Sequence, residues 1–270
     1  MTNDKTRIDR RFEELRGRRE KGFIAYITAG DPNFRDTTDI VLRLEDAGAD
    51  IVELGIPFSD PLADGRVNQM AAMRALSGGA SVNGVLKCVA QIRKRSEVPL
   101  LFFSYLNPLL ANGFDHVSRA ARDAGVDGFL VLDLPVEESA PYVAALKRHR
   151  LNNICLVTPT SSAERIRDIV RSSSGFVYCV SREGVTGMQK KLEHAATDLV
   201  NRTRRYTSLP LALGFGIATP DQAKAAARLA DAVVIGSAIV DRFATAPHNA
   251  TGRGKAASWV KTLVKAVKEA

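Results

Sequence analysis

Four acidic or hydroxyl side chains fall within twelve residues of one another in the segment Ile51–Gly65, IVELGIPFSDPLADG: Glu53, Ser59, Asp60 and Asp64. Ile51, Val52 and Leu54 form a short aliphatic run that reads as a buried strand, with Glu53 inside it and Gly55 closing it. An ionised carboxylate buried without a partner is costly, so burial drives its pKa upward, and a Glu with a raised pKa is what general acid–base chemistry needs near neutrality. A strand-end salt bridge is the alternative reading for Glu53 alone. Asp60 and Asp64 on a loop stiffened by Pro57 and Pro61 favour the chemical one.

Such groups need strands to hold them. Apolar runs occur at Phe23–Thr28, Ile51–Leu54, Leu100–Phe103, Gly128–Leu132, Ile154–Val157, Phe176–Val180, Leu211–Leu213 and Ala232–Ile235, separated by segments of helical periodicity. One of these, PDQAKAAARLA, opens on the start signal Thr219-Pro220-Asp221. Eight strand–helix alternations with no low-complexity linker predict an α/β chain, a single (β/α)8 TIM barrel over residues 1–270, rather than a doubly wound sheet. An extra N-terminal helix, Ile8–Arg19, is expected to cover the barrel bottom.

In such a barrel the chemistry belongs at the C-terminal ends of the strands. Thr28 and Asp31 follow the first strand, Tyr105 and Asn107 the third, and Asp133 the fourth. The later loops carry Ser181–Gly187, Gly214–Ile217 and Gly236–Ala238. No strand contains lysine or histidine, which argues against a Schiff-base aldolase and a metal-dependent aldolase or epimerase. No metal site is expected. Carboxylate acid–base work remains, and the glycine clusters supply an anion anchor: Gly236-Ser237 opens a helix-like run whose N-terminus favours a phosphate. The loop Ser181–Lys191, with Gly184 and Gly187 as hinges, is expected to act as a lid.

Composition is consistent with this reading. The 270 residues are 45% hydrophobic, enough for a full core, and the three cysteines have no short paired spacing, which fits reduced thiols and a cytoplasmic location. The formal net charge of +8 lies largely in two terminal segments where basic and apolar residues alternate at helical spacing. That is a solvated helix face; with no aromatic-interleaved basic strand and no zinc-finger spacing nucleic-acid binding is not expected, no apolar run approaches the roughly 18 residues of a membrane span, and the charge suits an anionic small substrate.

The motifs ITAGDP at Ile27–Pro32, ELGIPFSDPLADG, Tyr105–Pro108, DLPVEES at Asp133–Ser139, SREGVTG, GFGI and GSAIV together resemble the tryptophan synthase alpha-subunit family over nearly the whole chain. The resemblance implies cleavage of indole-3-glycerol phosphate to indole and glyceraldehyde 3-phosphate without a cofactor. Indole would pass to a β subunit that carries pyridoxal phosphate, in an α2β2 heterotetramer. It implies Glu53 as the acid–base and Asp64 as the carboxylate that stabilises positive charge on the indole nitrogen. Gly187, Gly216, Gly236 and Ser237 would cradle the phosphate. Tyr26, Phe103, Tyr105, Leu130, Tyr178, Phe215 and Ile235 would form the indole slot, with Thr186 on the lid. Asp60 and Pro61 would face the partner. The chain departs from the family pattern at Arg66, Val67, Asn68 and Gln69, at Glu183, and at Met188-Gln189. An alternative is an alpha-like barrel of weak turnover that mainly activates its β partner.

Overall fold

The computed structural model describes residues 5–180, 189–214 and 216–270. The strands are β1 (Gly22–Thr28), β2 (Ile51–Gly55), β3 (Leu100–Ser104), β4 (Gly128–Val131), β5 (Asn152–Val157), β6 (Val177–Val180), β7 (Leu211–Gly214) and β8 (Ala232–Ile235). All are parallel and pair in sequence order, and β8 returns to β1, so the sheet closes into the expected barrel. Among the described residues the helices are α1 (Arg7–Arg18), α2 (Phe34–Asp46), α3 (Arg66–Ser77), α4 (Val82–Arg93), α5 (Leu106–Leu110) and α6 (Phe114–Ala124). They continue with α7 (Ala140–Arg148), α8 (Ala163–Ser172), α9 (Gln189–Arg204), α10 (Pro220–Leu229), α11 (Ser237–Thr245) and α12 (Ala250–Lys268).

Local chemistry sets the helix starts. Thr6 and Asp9 form a reciprocal capping box on α1, Thr219 and Gln222 form another on α10, and Asn33, Ser81, Ser162 and Asn249 cap α2, α4, α8 and α12. The expected N-terminal helix is present as α1. Ile8, Phe12 and Leu15 on its buried face join Ile24, Ile51, Leu101, Leu130, Ile154 and Phe176 in the barrel lumen, where Phe12 meets Phe176 at 5.6 Å.

Strand alternation sorts side chains between two cores. Ile51 faces the lumen, whereas Val52 and Leu54 pack outward beneath the helices with Val41, Leu44 and Val85. Glu53 shares the parity of Ile51 and therefore points inward, two residues nearer the C-terminal end of the strand.

One device repeats four times at the opposite end. Asp50, Asp127, Ser174 and Asp231 each precede an even-numbered strand, and each donates its backbone N–H to a residue in or at the start of the preceding strand. Their side chains accept in return from the backbone N–H of that same residue: Phe23, Leu100, Asn153 and Leu211 respectively. Asp127 is the most heavily used, because Arg7 and Arg93 also reach it at 3.1 and 3.0 Å while it is fully buried. Removing one partner of such a network leaves buried charge uncompensated. Asp127→Ala is therefore expected to lower stability by about 3–5 kcal/mol, measured by urea denaturation. A midpoint close to that of the wild type would show that the network is dispensable.

Candidate active site

Glu53 lies in the middle of β2, with Tyr26 of β1 and Leu101 of β3 as its register partners. Its side chain is fully buried, and among the described residues neither carboxylate oxygen has a hydrogen-bond partner. Burial pushes its pKa up from 4.5 to about 8. At neutral pH the group holds its proton, and with no partner to satisfy it is free to pass that proton on. A strand-end salt bridge, the alternative reading for this position, is absent among the described residues.

Asp64 lies on the loop between β2 and α3, half-buried, and is held from two sides. The Tyr105 hydroxyl, just past β3, donates to its Oδ2 at 3.0 Å, and Asn68 Nδ2 of α3 donates to its Oδ1 at 3.4 Å. Burial raises its pKa, and the two donors oppose that rise. The same Tyr105 oxygen accepts from the Ala63 N–H at 3.0 Å, while Gln69 donates to the Asp64 carbonyl at 3.0 Å, so the acidic loop is tied to α3 and to the end of β3.

Tyr26 links the two carboxylates: it is buried, and the charges of Asp64 and Glu53 both add to the burial that raises its hydroxyl pKa. Tyr178, opposite on β6, has its pKa raised by burial first and then by Glu53 and Tyr26. Two glycines make room for these rings: a Cβ on Gly55 would stand 2.3 Å from the Tyr26 oxygen, and one on Gly214 would stand 2.5 Å from that of Tyr178. Phe103 packs edge-on against Tyr26 at 5.0 Å, and Leu130 lies in the lumen below. Tyr26, Phe103, Leu130 and Tyr178 thus form one apolar wall around Glu53, with Tyr105 above it on Asp64.

At the other side of the lumen mouth, Gly236 caps α11 without a side-chain bond to the first turn. Gly236 thus offers no side-chain acceptor to the first N–H groups of that helix, which start beside an exposed Ser237. Gly236 abuts Tyr26, since an added Cβ would lie 3.4 Å from the Tyr26 ring, so this helix end adjoins the apolar wall. Gly216 follows β7 with a φ of +62°, a conformation that favours glycine.

Not every expected position belongs here. Ile235 is a correction: the parity of β8 turns it outward into the core beneath the helices, with Val233, and Val234 faces the lumen instead. Leu132 and Leu156, which were not singled out from the sequence, pack against the lumen cluster, and strict period-two alternation from Leu130 and Ile154 would have found them. Asn68 and Gln69 were noted only as departures from a family pattern, yet both brace the Asp64 loop. Asp133 serves structure, accepting from the Leu106 N–H at 2.7 Å at the start of α5. Asp60 and Pro61 lie at the loop surface, where Leu62 is 89% exposed and the exposed Met70 and Met73 of α3 add further apolar surface. Thr186, Gly187 and Phe215, with Glu183, Met188 and residues 181–188 of the expected lid, lie outside the described residues. Among the described residues, no cluster of His, Cys, Asp or Glu side chains is arranged to hold a metal ion, and no helix is long and apolar enough to cross a membrane.

A family model described as tryptophan synthase alpha chain matches residues 12–270. The chain belongs to the tryptophan synthase alpha chain family. Members similar to it include the tryptophan synthase alpha chain of Opitutus terrae, 46% identical over 236 residues that cover 87% of this chain and 89% of that one. That of Geobacter sulfurreducens is 43% identical over 265 residues, covering 98% of both. Among solved structures, the alpha subunit of Legionella pneumophila tryptophan synthase superposes with a TM-score of 0.90 at 35% identity, covering 98% of this chain and 99% of that one. A chain of Mycobacterium tuberculosis tryptophan synthase gives 0.88 at 32% identity, covering 98% and 99%.

Proposed function

We infer that this family member is the carbon–carbon lyase that cleaves indole-3-glycerol phosphate to indole and glyceraldehyde 3-phosphate in tryptophan biosynthesis. The observation that carries the reading is Glu53: a buried carboxyl with no partner among the described residues and a pKa near 8, set among apolar side chains, with Asp64 acting on the same Tyr26. In its neutral form Glu53 gives a proton to C3 of the indole ring, which places positive charge on the ring nitrogen. Asp64 stabilises that charge. The carboxylate left on Glu53 then takes the proton of the adjacent glycerol hydroxyl as the carbon–carbon bond breaks; the aldehyde forms, the electron pair returns to the ring, and Glu53 recovers its starting proton. The cycle balances with no cofactor in this chain. Tyr26, Phe103, Leu130 and Tyr178 hold the ring. Retention of Glu53 and Asp64 in working positions gives no support to a barrel that only activates a partner.

The phosphate is assigned to the first turn of α11 at Gly236 and Ser237, and Gly216 and Gly187 are assigned to the same cradle. Gly236→Asp would place a carboxylate against the dianion, and substrate affinity is expected to fall by about two orders of magnitude or more. Glycerol phosphate should raise the melting temperature of the wild type but not of this variant. Equal protection of both proteins would move the phosphate elsewhere.

The partner is a tryptophan synthase β subunit, which carries the pyridoxal phosphate, and the assembly is an α2β2 heterotetramer in the cytoplasm. Asp60 and Pro61, with the exposed Leu62 and the two methionines of α3, form the apolar and acidic loop surface assigned to that contact. Thr186 is assigned to the lid and Phe215 to the slot. The test is indole release from indole-3-glycerol phosphate by the purified chain, with and without a β subunit. Equimolar indole and triose phosphate are expected; neither product under either condition would reject the reading.

A further inference from the structure

Asn68 is the third residue of α3, where a polar side chain ordinarily reaches back to the helix start. It does not do so here: Gly65 caps α3 with no side-chain bond. Instead the Asn68 amide nitrogen donates to Asp64 Oδ1 at 3.4 Å, and its carbonyl oxygen is buried without a partner among the described residues. The reversed amide would set that oxygen against a carboxylate oxygen, acceptor against acceptor, so only the observed orientation is attractive. An acceptor left unsatisfied and buried is costly in a folded protein unless something arrives to satisfy it. The neighbouring Val67 packs with Tyr26 and Phe103, so this turn of α3 borders the slot that receives the ring.

We propose that Asn68 is a positioning residue of the lyase: its amide N–H fixes the Asp64 carboxylate, and its carbonyl oxygen accepts from the substrate's ring N–H beside that carboxylate. The inference rests on the lyase reading. The ring nitrogen carries one donor, and that donor gains positive charge as C3 is protonated. A carboxylate and an amide dipole turned toward it together stabilise the charged state more than the neutral one. The titratable groups that feel Asp64 are Tyr26 from β1 and Tyr105 past β3, and Glu53 from β2 acts on Tyr26 in turn. Burial keeps both tyrosines neutral through the assay range and Glu53 titrates near 8, so among these groups Asp64 is the one that falls on the acidic side of the profile, and the Asp64→Asn background separates it from the substrate phosphate.

The experiment compares wild type, Asn68→Leu and Asn68→Ala by the pH dependence of kcat/KM for indole-3-glycerol phosphate. It also compares their binding of an unreactive indole-3-alkyl phosphate and of its ring N-methyl counterpart. Loss of the amide donor should raise the acidic-limb pKa by about one unit and cut kcat about tenfold, and loss of the carbonyl acceptor should raise KM by no more than about fivefold. Preference for the N–H over the N-methyl ligand should shrink about fivefold, because one of its two acceptors is gone. In an Asp64→Asn background the limb shift should vanish. An acidic limb and an N-methyl discrimination both unchanged in the two variants would overturn the proposal. Should the wild type release no indole, the lyase reading itself fails. The Asp64 carboxyl titration followed by NMR in the free protein then decides the first half of the proposal, since an unshifted Asp64 in Asn68→Ala would refute it.

Discussion

Glu53→Gln is expected to lose indole formation by about 10²–10⁴-fold while binding an indole-3-alkyl phosphate nearly as well as the wild type. The amide keeps the shape of the acid and can neither give C3 a proton nor take one from the glycerol hydroxyl, so both halves of the proposed step fail together. Turnover within about tenfold of wild type would remove Glu53 from the chemistry. The same substitution has a stability signature. The ordinary carboxyl value is 4.5, and burial raises it to about 8 in the folded chain. Below pH 4.5 both folded and unfolded states are protonated and burial of the acid carries no ionisation penalty. As pH rises from there towards 8, the unfolded state releases its proton first, so the stability of the wild type declines through that window. Glu53→Gln lacks this titration. The variant should gain on wild type as pH rises, by on the order of 3 kcal/mol at pH 7, read as a difference in melting temperature that widens from pH 4.5 to 8. A difference independent of pH would mean that Glu53 is ionised in the native protein.

Asp64→Asn is expected to lower kcat by about 10²–10³-fold with a small change in KM, since a charge aimed at a developing cation acts on the transition state more than on the bound substrate. The Tyr105 hydroxyl can still donate to the amide oxygen, so the loop should keep its place and the loss should be electrostatic rather than conformational. Steady-state kinetics separate the cases. A raised KM at unchanged kcat would make Asp64 a ground-state recognition group, and the proposed stabilisation of the ring nitrogen would need another source.

The eight strands were legible because each is an aliphatic run ended by glycine or a polar residue, and α1 because its apolar residues recur at helical spacing. The closed order followed from the even alternation of strand and helix. Glu53 stood out since a carboxylate inside such a run has no ordinary place. What the sequence obscured was facing. Ile235 and Val234 are equally apolar, and only the register of β8 against β1, Ala25 beside Ile235, shows which one turns to the lumen. The fourfold device of Asp50, Asp127, Ser174 and Asp231 was hidden for a different reason: the serine breaks the pattern of residue type, while the hydrogen bonds that unite the four exist only once the strands are paired. Asn68 looked like a departure from a family pattern. Its meaning depends on Asp64, whose loop folds back onto the first turn of α3.

The most direct measurement is the pH dependence of kcat/KM for indole release from indole-3-glycerol phosphate by the wild-type chain. A neutral Glu53 that begins the step by protonating C3 requires release that holds through neutrality and then falls with an apparent pKa near the value of about 8 set by burial. Release that stays level or climbs through about pH 9.5, well beyond that pKa, would contradict a neutral carboxyl as the starting acid.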